Sequence, residues 1–317
     1  MSAPVPVAAE LAAVFEEQRS LLWGLGYRLT GSAADADDVV QETFVRAIER
    51  PPKRTDQPWR PWLVRVAVNV GRDLLRRRRR RRYVGPWLPS PIDTGEEATL
   101  PAVEANLASG ESTEGRYDLL ESVSYAFLLA LEALTPRQRA VLLLRDVFDY
   151  SVRETAFTLD ASEASIKTMH HRARRSMREY DTERTIPTRA LQARTRTVLE
   201  RFVQALRAQD GRALEALLAR SARALTDGGG EFLAARRPVI GASKVARFYV
   251  GLAAWHESSR VTFEHRTLNG LPAFMLRIEG AGPRVAPVSV GRIELDAAGR
   301  IRELHAILAS RKLTALT

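Results

Sequence analysis

Apolar positions step at helical spacing through most of the first 180 residues and alternate through the last 60. Leu11, Val14, Phe15, Leu22, Leu25 and Gly26 fall near one side of a helix predicted over 9–29, and the two prolines in residues 1–8 predict a loose start. Thr30-Gly31-Ser32 stops that helix and restarts the next. The second helix, predicted over 34–50, opens with Asp35, Asp37 and Asp38, acids that complement the helix dipole. Its apolar stripe is read as Val40, Phe44, Ala47 and Ile48, and Pro51-Pro52 ends it. A loop carrying Trp59 leads to the stretch from Trp62 to Arg82. There Leu63, Val66, Val70 and Leu74 keep helical spacing, and seven consecutive arginines, Arg76 to Arg82, follow. One half of this helix can bury a face; the other can only meet water or anions.

Residues 83–116 lose periodicity and gain Pro, Gly, Ser, Thr and Glu, which is linker composition. An apolar knot, WLPSP from Trp87 to Pro91, interrupts it. Helical pattern resumes at Tyr117, with Leu120, Val123, Phe127, Leu131 and Leu134 on one face of a predicted helix. Thr135-Pro136 starts the next one, Thr as N-cap and Pro at the first position. Two further helices, 152–159 and 162–180, are separated by Asp160-Ala161, and the second is basic. Two helices around a tight turn predict a helix-turn-helix. Ile166 and Met169 are its expected buried positions. Past the polar hinge 181–187 come helices over 188–208 and 211–219, a glycine cluster Asp227-Gly228-Gly229-Gly230, and a helix over 243–254. After Ser258 the pattern alternates in four runs joined by turn residues. Helices followed by a meander indicate an α+β domain.

Charge sharpens this division. The 317 residues carry a net +10, unevenly spread: net −4 over 1–50, +10 over 51–82, −6 over 83–120, zero over 121–185 and +10 over 186–317. A basic block between acidic ones points to a local anionic partner. The chain has no cysteine, which excludes disulfides, thiolate catalysis and cysteine-built zinc sites. His170 and His171 have no acidic or cysteine ligand nearby in the sequence, so metal binding is not expected. No apolar run reaches bilayer length, and the N-terminus lacks the pattern of a secretory signal, so the chain reads as cytoplasmic with no membrane association.

Three blocks, ADADDVVQETFVRAIE, WLVRVAVNVGRDLLRRRRR and LTPRQRAVLLLRDVFDYSVRETAFTLDASEASIKTMHHRARRSMRE, together resemble the two domains of bacterial sigma-70-type factors of the extracytoplasmic-function group. Residues 188–310 resemble a SnoaL-like domain of the ketosteroid isomerase and polyketide cyclase superfamily. Some extracytoplasmic-function factors carry such a fusion, with a Trp-Leu-Pro linker motif and an Asp-Gly-Gly-Gly motif, here WLPSP and DGGG. The resemblance implies a multidomain fold: two all-α domains, the second with the helix-turn-helix, then an α+β cone built on a curved sheet. The expected domains are a sigma region 2 domain over 9–82, an acidic linker over 83–116, a region 4 domain over 117–182 and the SnoaL-like domain over 188–310. Two departures stand out. Asp160 replaces the usual glycine of the turn, a substitution that a left-handed conformation tolerates. SRKL, Ser310 to Leu313, stands where the subgroup often has Asn-Pro-Asp-Lys-Leu.

What the resemblance implies for sites follows from these matches. Asp37, Asp38, Gln41, Glu42 and Phe44 would dock on the RNA polymerase core enzyme. Lys53, Arg54, Trp59, Arg60, Asn69, Arg72, Asp73, Arg76 and Arg77 would read the −10 element of promoter DNA. There, unstacked bases need apolar platforms and the backbone needs cations. Trp59 and Trp62 fit core and stacking platform equally. Glu163, Ser165, Lys167, Thr168, His171 and Arg172 would face the −35 element in the major groove. Trp87, Leu88, Pro89, Asp227, Gly228, Gly229 and Gly230 would be regulatory. No cofactor and no catalysis are expected. The superfamily's chemistry directs attention to Asp227, Glu231, His265, Glu279 and His305, but no pair has diagnostic spacing. A small ligand could occupy the third domain, and the free chain is expected to be monomeric. Two rivals remain: a ligand-responsive helix-turn-helix regulator acting without polymerase, and an isomerase or cyclase localised by its N-terminal half.

Overall fold

The computed structural model describes residues 5–52, 58–80, 83–95, 116–256 and 259–316. The chain divides into two compact units, one drawn from residues 1–81 and 99–185, the other from 82–98 and 186–317.

The first unit is all helical. α1 (Val5–Thr30), α2 (Ala33–Glu49) and α3 (Arg60–Arg80) pack on one another. α1 begins earlier than its prolines suggest, because a first helical turn tolerates Pro6 without losing a hydrogen bond. Ser32 caps α2, its hydroxyl accepting from the Asp35 amide at 3.2 Å. The apolar stripes are offset from the predicted ones. On α2, Val39, Val40, Phe44 and Ala47 are buried, whereas Ile48 is 69% exposed. On α3 the buried set is Leu63, Val64, Ala67, Val68, Val70, Gly71 and Leu75, while Val66 and Leu74 are only half-buried.

The helix predicted from Tyr117 to Leu134 is broken into α4 (Tyr125–Ala130) between two single 3-10 turns. Ser124 interrupts it: in an extended conformation its hydroxyl caps α4 by accepting from the Phe127 amide at 3.2 Å. Then follow α5 (Pro136–Asp146), α6 (Val152–Leu159), α7 (Glu163–Ser176) and α8 (Arg178–Thr182). α5 and α6 each start with a reciprocal capping box, Thr135 with Gln138 and Ser151 with Glu154. Asp160 takes the left-handed conformation (φ 51°) in the turn before α7. Ile166 is fully buried there, but Met169 only partly.

Buried arginines stitch the two halves of this unit together. Arg28 donates to the Ser122 hydroxyl at 2.7 Å and to the Leu119 carbonyl at 3.1 Å. Arg139, 2% exposed, donates to the Leu29 carbonyl at 3.0 Å and to Glu132 at 2.9 Å. Arg78 reaches both Glu132 oxygens at 2.6 and 2.8 Å, and Arg79 the Leu134 carbonyl.

The second unit is α+β. α9 (Arg189–Arg207) and α10 (Gly211–Leu217) lead into β1 (Leu218–Asp227) and β2 (Val239–Ile240). α11 (Ala242–Trp255) follows, then β3 (Val261–Leu268), β4 (Leu271–Ile278), β5 (Val288–Leu295) and β6 (Ile301–Ile307). The six strands form one sheet in the order β2-β1-β6-β5-β4-β3, with β1 and β6 parallel and the other pairs antiparallel. Pro272 sits at the start of β4, before its pairing with β5 begins at Ala273, so its missing N–H leaves no gap in the ladder. The core joins Leu199, Phe202, Leu214, Val245, Ile293 and Leu304 between sheet and helices.

The sequence reading puts 83–116 in a linker. Of these residues, 83–95 pack on the second unit instead of standing off as a tether. Leu88 and Ile92 are buried, and the backbone of 92–94 docks on the β3–β4 hairpin. Ile92 exchanges hydrogen bonds with Asn269, at 3.1 Å to its side chain and 3.0 Å from its amide, and the Thr94 amide donates to the Thr267 carbonyl at 3.0 Å.

Candidate functional site

On α2, Asp37, Asp38 and Gln41 are exposed, and Glu42 is half-buried against Arg46 at 2.9 Å. Asp37 is oriented by Trp23, whose indole N–H donates to it at 2.8 Å. Phe44 does not belong with them. It is buried, its ring meeting Phe15 edge-on at 4.5 Å. Val45 and Ile48 take its place as the apolar members of this face, 40% and 69% exposed, one and two turns beyond Gln41. The sequence signal was present in the i, i+4, i+7 spacing from Gln41, but Ile48 was assigned to the core stripe.

The predicted −10 set is not one surface. Lys53 and Arg54 lie outside the described residues, as do Arg81 and Arg82. Trp59 is buried and packs edge-on against Trp62 at 6.3 Å, which makes it core. Arg72 is also buried. Its guanidinium donates to Asn69 at 3.1 Å, and burial, then Arg76 and Arg137, hold its pKa below the ordinary arginine value. Asp73 pairs with Arg76 at 3.0 Å. Arg60, Asp73, Arg76 and Arg77 are exposed.

In the helix-turn-helix, Glu163, Ser165, Lys167, Thr168, His171 and Arg172 are all exposed on α7. The Thr168 hydroxyl is turned onto its own helix, donating to the Ala164 carbonyl at 3.0 Å. His170 points the other way and meets buried Asp146 at 2.9 Å, where Arg174 also donates at 2.6 Å. Burial pushes the Asp146 carboxyl up, but these two partners outweigh it and hold it below its usual value. An acid 24 positions away answers the question that local sequence left open. Among the described residues, no cluster of His, Cys, Asp or Glu could hold a metal ion.

The regulatory set converges in the second unit. Buried Asp227, at the end of β1, accepts from the Tyr83 hydroxyl at 2.5 Å, the Leu88 amide at 2.8 Å and the Gly229 amide at 3.1 Å. Lys312, itself buried, donates to Asp227 and to the Leu88 carbonyl. Its ammonium lies 4.4 Å from the centre of the Trp87 ring and 5.0 Å from that of Tyr83. Glu231 accepts from Ser310, at 3.0 Å from the amide and 2.7 Å from the hydroxyl. SRKL therefore makes an intramolecular contact despite its departure from the subgroup motif. Gly229 (φ 60°) permits the approach, since a Cβ there would stand 2.9 Å from that of Ala309. Pro89 is buried beside Leu88. The clasp thus ties residues 83–88 to the glycine motif and to the C-terminal strand's extension.

A cavity of about 750 Å³ lies between the sheet and helices α9 and α11. Its floor is a row of residues in register across four strands, Thr226, Ala306, Gly291 and Phe274. Small side chains in the middle of that row leave the space open. At Gly291 a Cβ would fall 2.1 Å from the Phe274 ring. Asp227, Glu231, His265, Glu279 and His305 do not line the cavity, and no aspartate or glutamate does among the described residues. Asp227 and Glu231 serve the clasp. His305 is bonded to Arg292 and Glu303, each at 2.9 Å, Glu279 faces Arg260 at 3.7 Å, and His265 is exposed on β3. Among the described residues, no helix is long and apolar enough to cross a membrane.

Comparison with known proteins agrees with this layout. A family model of sigma-70 region 2 matches residues 14–81, and one of sigma-70 region 4 matches residues 124–177. The chain is 33% identical over 240 residues to ECF RNA polymerase sigma factor SigJ of Mycobacterium tuberculosis, an alignment covering 75% of this chain and 72% of that protein. It is 37% identical over 176 residues to sigma factor SigG of the same organism, covering 52% of this chain but only 47% of SigG. Its structure resembles the crystal structure of SigJ with a TM-score of 0.68 and 27% identity, over 96% of this chain and 98% of that one. That similarity includes the α+β unit.

Proposed function

The chain belongs to the extracytoplasmic-function sigma factors of RNA polymerase, and from that premise we propose that its fused third domain governs promoter recognition by clasping the linker. Sigma-70 regions 2 and 4 bind the polymerase core and promoter DNA, and the chain carries both. The finer roles are as follows. The exposed face of α2, Asp37, Asp38, Gln41, Val45 and Ile48, docks on a basic, partly apolar surface of the core enzyme. Arg60, Asp73, Arg76 and Arg77 on α3, with Lys53 and Arg54 of the preceding loop, meet the −10 strand. Phe44, Trp59 and Arg72 shape these surfaces from beneath. Lys167, His171 and Arg172 on α7 face the −35 bases, with Glu163 and Ser165 at the helix N-terminus. The protein acts in the cytoplasm, where its polymerase is.

Geometry gives the reason for regulation. The two promoter elements lie about 25 base pairs apart, roughly 85 Å along the duplex at 3.4 Å per base pair. A compact unit of about 170 residues has a radius of gyration of about 15 Å. α3 and α7 belong to one such unit and cannot reach both elements until regions 2 and 4 separate. The linker joins those regions, so whatever holds the linker restrains their separation. The observation that carries this reading is the grip of Asp227 and Lys312 on Leu88.

The absence of carboxylates among the described cavity residues weighs against an isomerase reading, and the region 2 match weighs against a regulator acting without polymerase. Run-off transcription with core polymerase tests the assignment of α7. K167A and R172A, both at exposed positions, are each expected to cost about 1–3 kcal/mol of discrimination at the bases they face. R175A is expected to weaken binding evenly and to lower the salt slope by about one. Unchanged promoter preference in K167A and R172A would overturn the assignment.

A further inference from the structure

The cavity of the second unit carries an inference of its own. Its row of floor residues runs from Thr226 on β1 to Phe274 on β4, about 14 Å at ~4.8 Å per strand. The walls are apolar and aromatic, with Tyr249 and Leu252 of α11 on the helical side. The Thr226 hydroxyl is buried, lines this space and has no hydrogen-bond partner. A buried hydroxyl left in that state is unfavourable, so a group inside the cavity is needed to satisfy it. The other polar groups are arginines: Arg207, whose guanidinium lies 4.8 Å from the centre of the Phe263 ring, and Arg284 in the β4–β5 loop. Both are exposed at the edge of the cavity, and no described carboxylate lining it neutralises them.

We propose that this cavity is a binding site for a small amphipathic anion. Its apolar body lies along the row from Phe274 to Ala306. Its anionic head meets Arg207 and Arg284, and an oxygen on its far end bonds to Thr226. The output of the site rests on the clasp reading given above. Thr226 and Ala306 face the cavity, while their chain neighbours Asp227 and Ile307 point to the opposite side of the same paired strands. Leu308 also lines the cavity, and its amide donates to the Asp227 carbonyl at 2.8 Å. A ligand that moves this corner moves the clasp.

Calorimetric titration of the full chain with decanoate, decanol, decylammonium and 10-hydroxydecanoate tests the site. Decanoate is expected to bind saturably, about tenfold more tightly than decanol, since a charge-assisted hydrogen bond exceeds a neutral one. Decylammonium is expected not to bind. The added hydroxyl of 10-hydroxydecanoate is expected to tighten binding about fivefold, a gain absent in T226V. R207A/R284A, altered only at exposed positions, is expected to make decanoate and decanol equivalent. A306F, which fills the floor, is expected to abolish binding, and its melting curve shows whether it folds. No saturable binding to the wild-type chain, or decanol binding as tightly as decanoate, would overturn the proposal. Binding as expected, with run-off transcription unmoved by decanoate, would instead overturn its link to the clasp.

Discussion

Replacing Lys312 by alanine is expected to raise run-off transcription several-fold and to destabilise the second unit by about 2–3 kcal/mol. The Lys312 ammonium is enclosed by the Asp227 carboxylate, the Leu88 carbonyl and the faces of Trp87 and Tyr83. Removing one partner of a buried ion pair typically costs about 3–5 kcal/mol, because the other charge is left uncompensated. Asp227 keeps three donors, from Tyr83, Leu88 and Gly229, which places the cost below that range. Those donors come largely from the linker, so the lost cation loosens the linker more than the sheet. Urea unfolding of the full chain reads the stability term. The double variant D227N/K312A is expected to lose less than the sum of the single changes by about 1–2 kcal/mol, as residues in direct contact do. Additive losses would show that the two side chains do not act as a pair.

Glu132→Ala is expected to weaken the packing of region 2 on region 4 by about 2 kcal/mol, near thirtyfold in the ratio of separated to packed forms. The Glu132 carboxylate accepts from Arg78 and Arg139, and Arg139 would remain buried with only the Leu29 and Leu131 carbonyls. About a third of the Glu132 side chain is exposed, so solvent screens part of the interaction. Burial raises the Glu132 pKa, but Arg139 and Arg78 outweigh it and hold the carboxyl below its usual range. Burial also pushes the Arg139 guanidinium down to about 10, still charged at neutral pH. A depressed carboxylate contributes stability above its unfolded value, about 4.3, and loses it as pH falls through the folded one. The gap between wild type and E132A is therefore expected to close below about pH 4. Energy transfer between dyes on α3 and α7 reads the separation directly, and a gap that persists in acid would contradict the role given to Glu132.

Much of the fold was legible because local chemistry agrees with the global arrangement. Thr135-Pro136, Ser151 and Ser162 mark helix starts through caps that the structure contains. The turn at Asp160 was legible from the tolerance of Asp for left-handed backbone. Periodicity alone did not fix which face of α2 and α3 is buried. One residue advances a helix by about 100°, and Val66, Leu74 and Ile48 fell on the wrong side of that error. The break at Ser124 was missed because apolar spacing continues through it while its hydroxyl competes for the backbone. Sites built from distant residues were the least legible. Lys312 and Leu88 are 224 positions apart, and only a shared three-dimensional corner brings them together. The WLPSP and DGGG motifs were found through family resemblance, and their meaning came from Asp227 bonding the linker backbone. The cavity has no sequence signature, since it is made by small residues on four different strands.

The central claim is that the fused domain restrains the linker through the C-terminal SRKL segment. Run-off transcription from one promoter, with the chain ending at Ala309 compared at equal concentration with the full chain, tests it most directly. The shortened chain lacks Ser310 and Lys312 and is expected to give several-fold more transcript. Equal or lower output from the shortened chain would contradict the account.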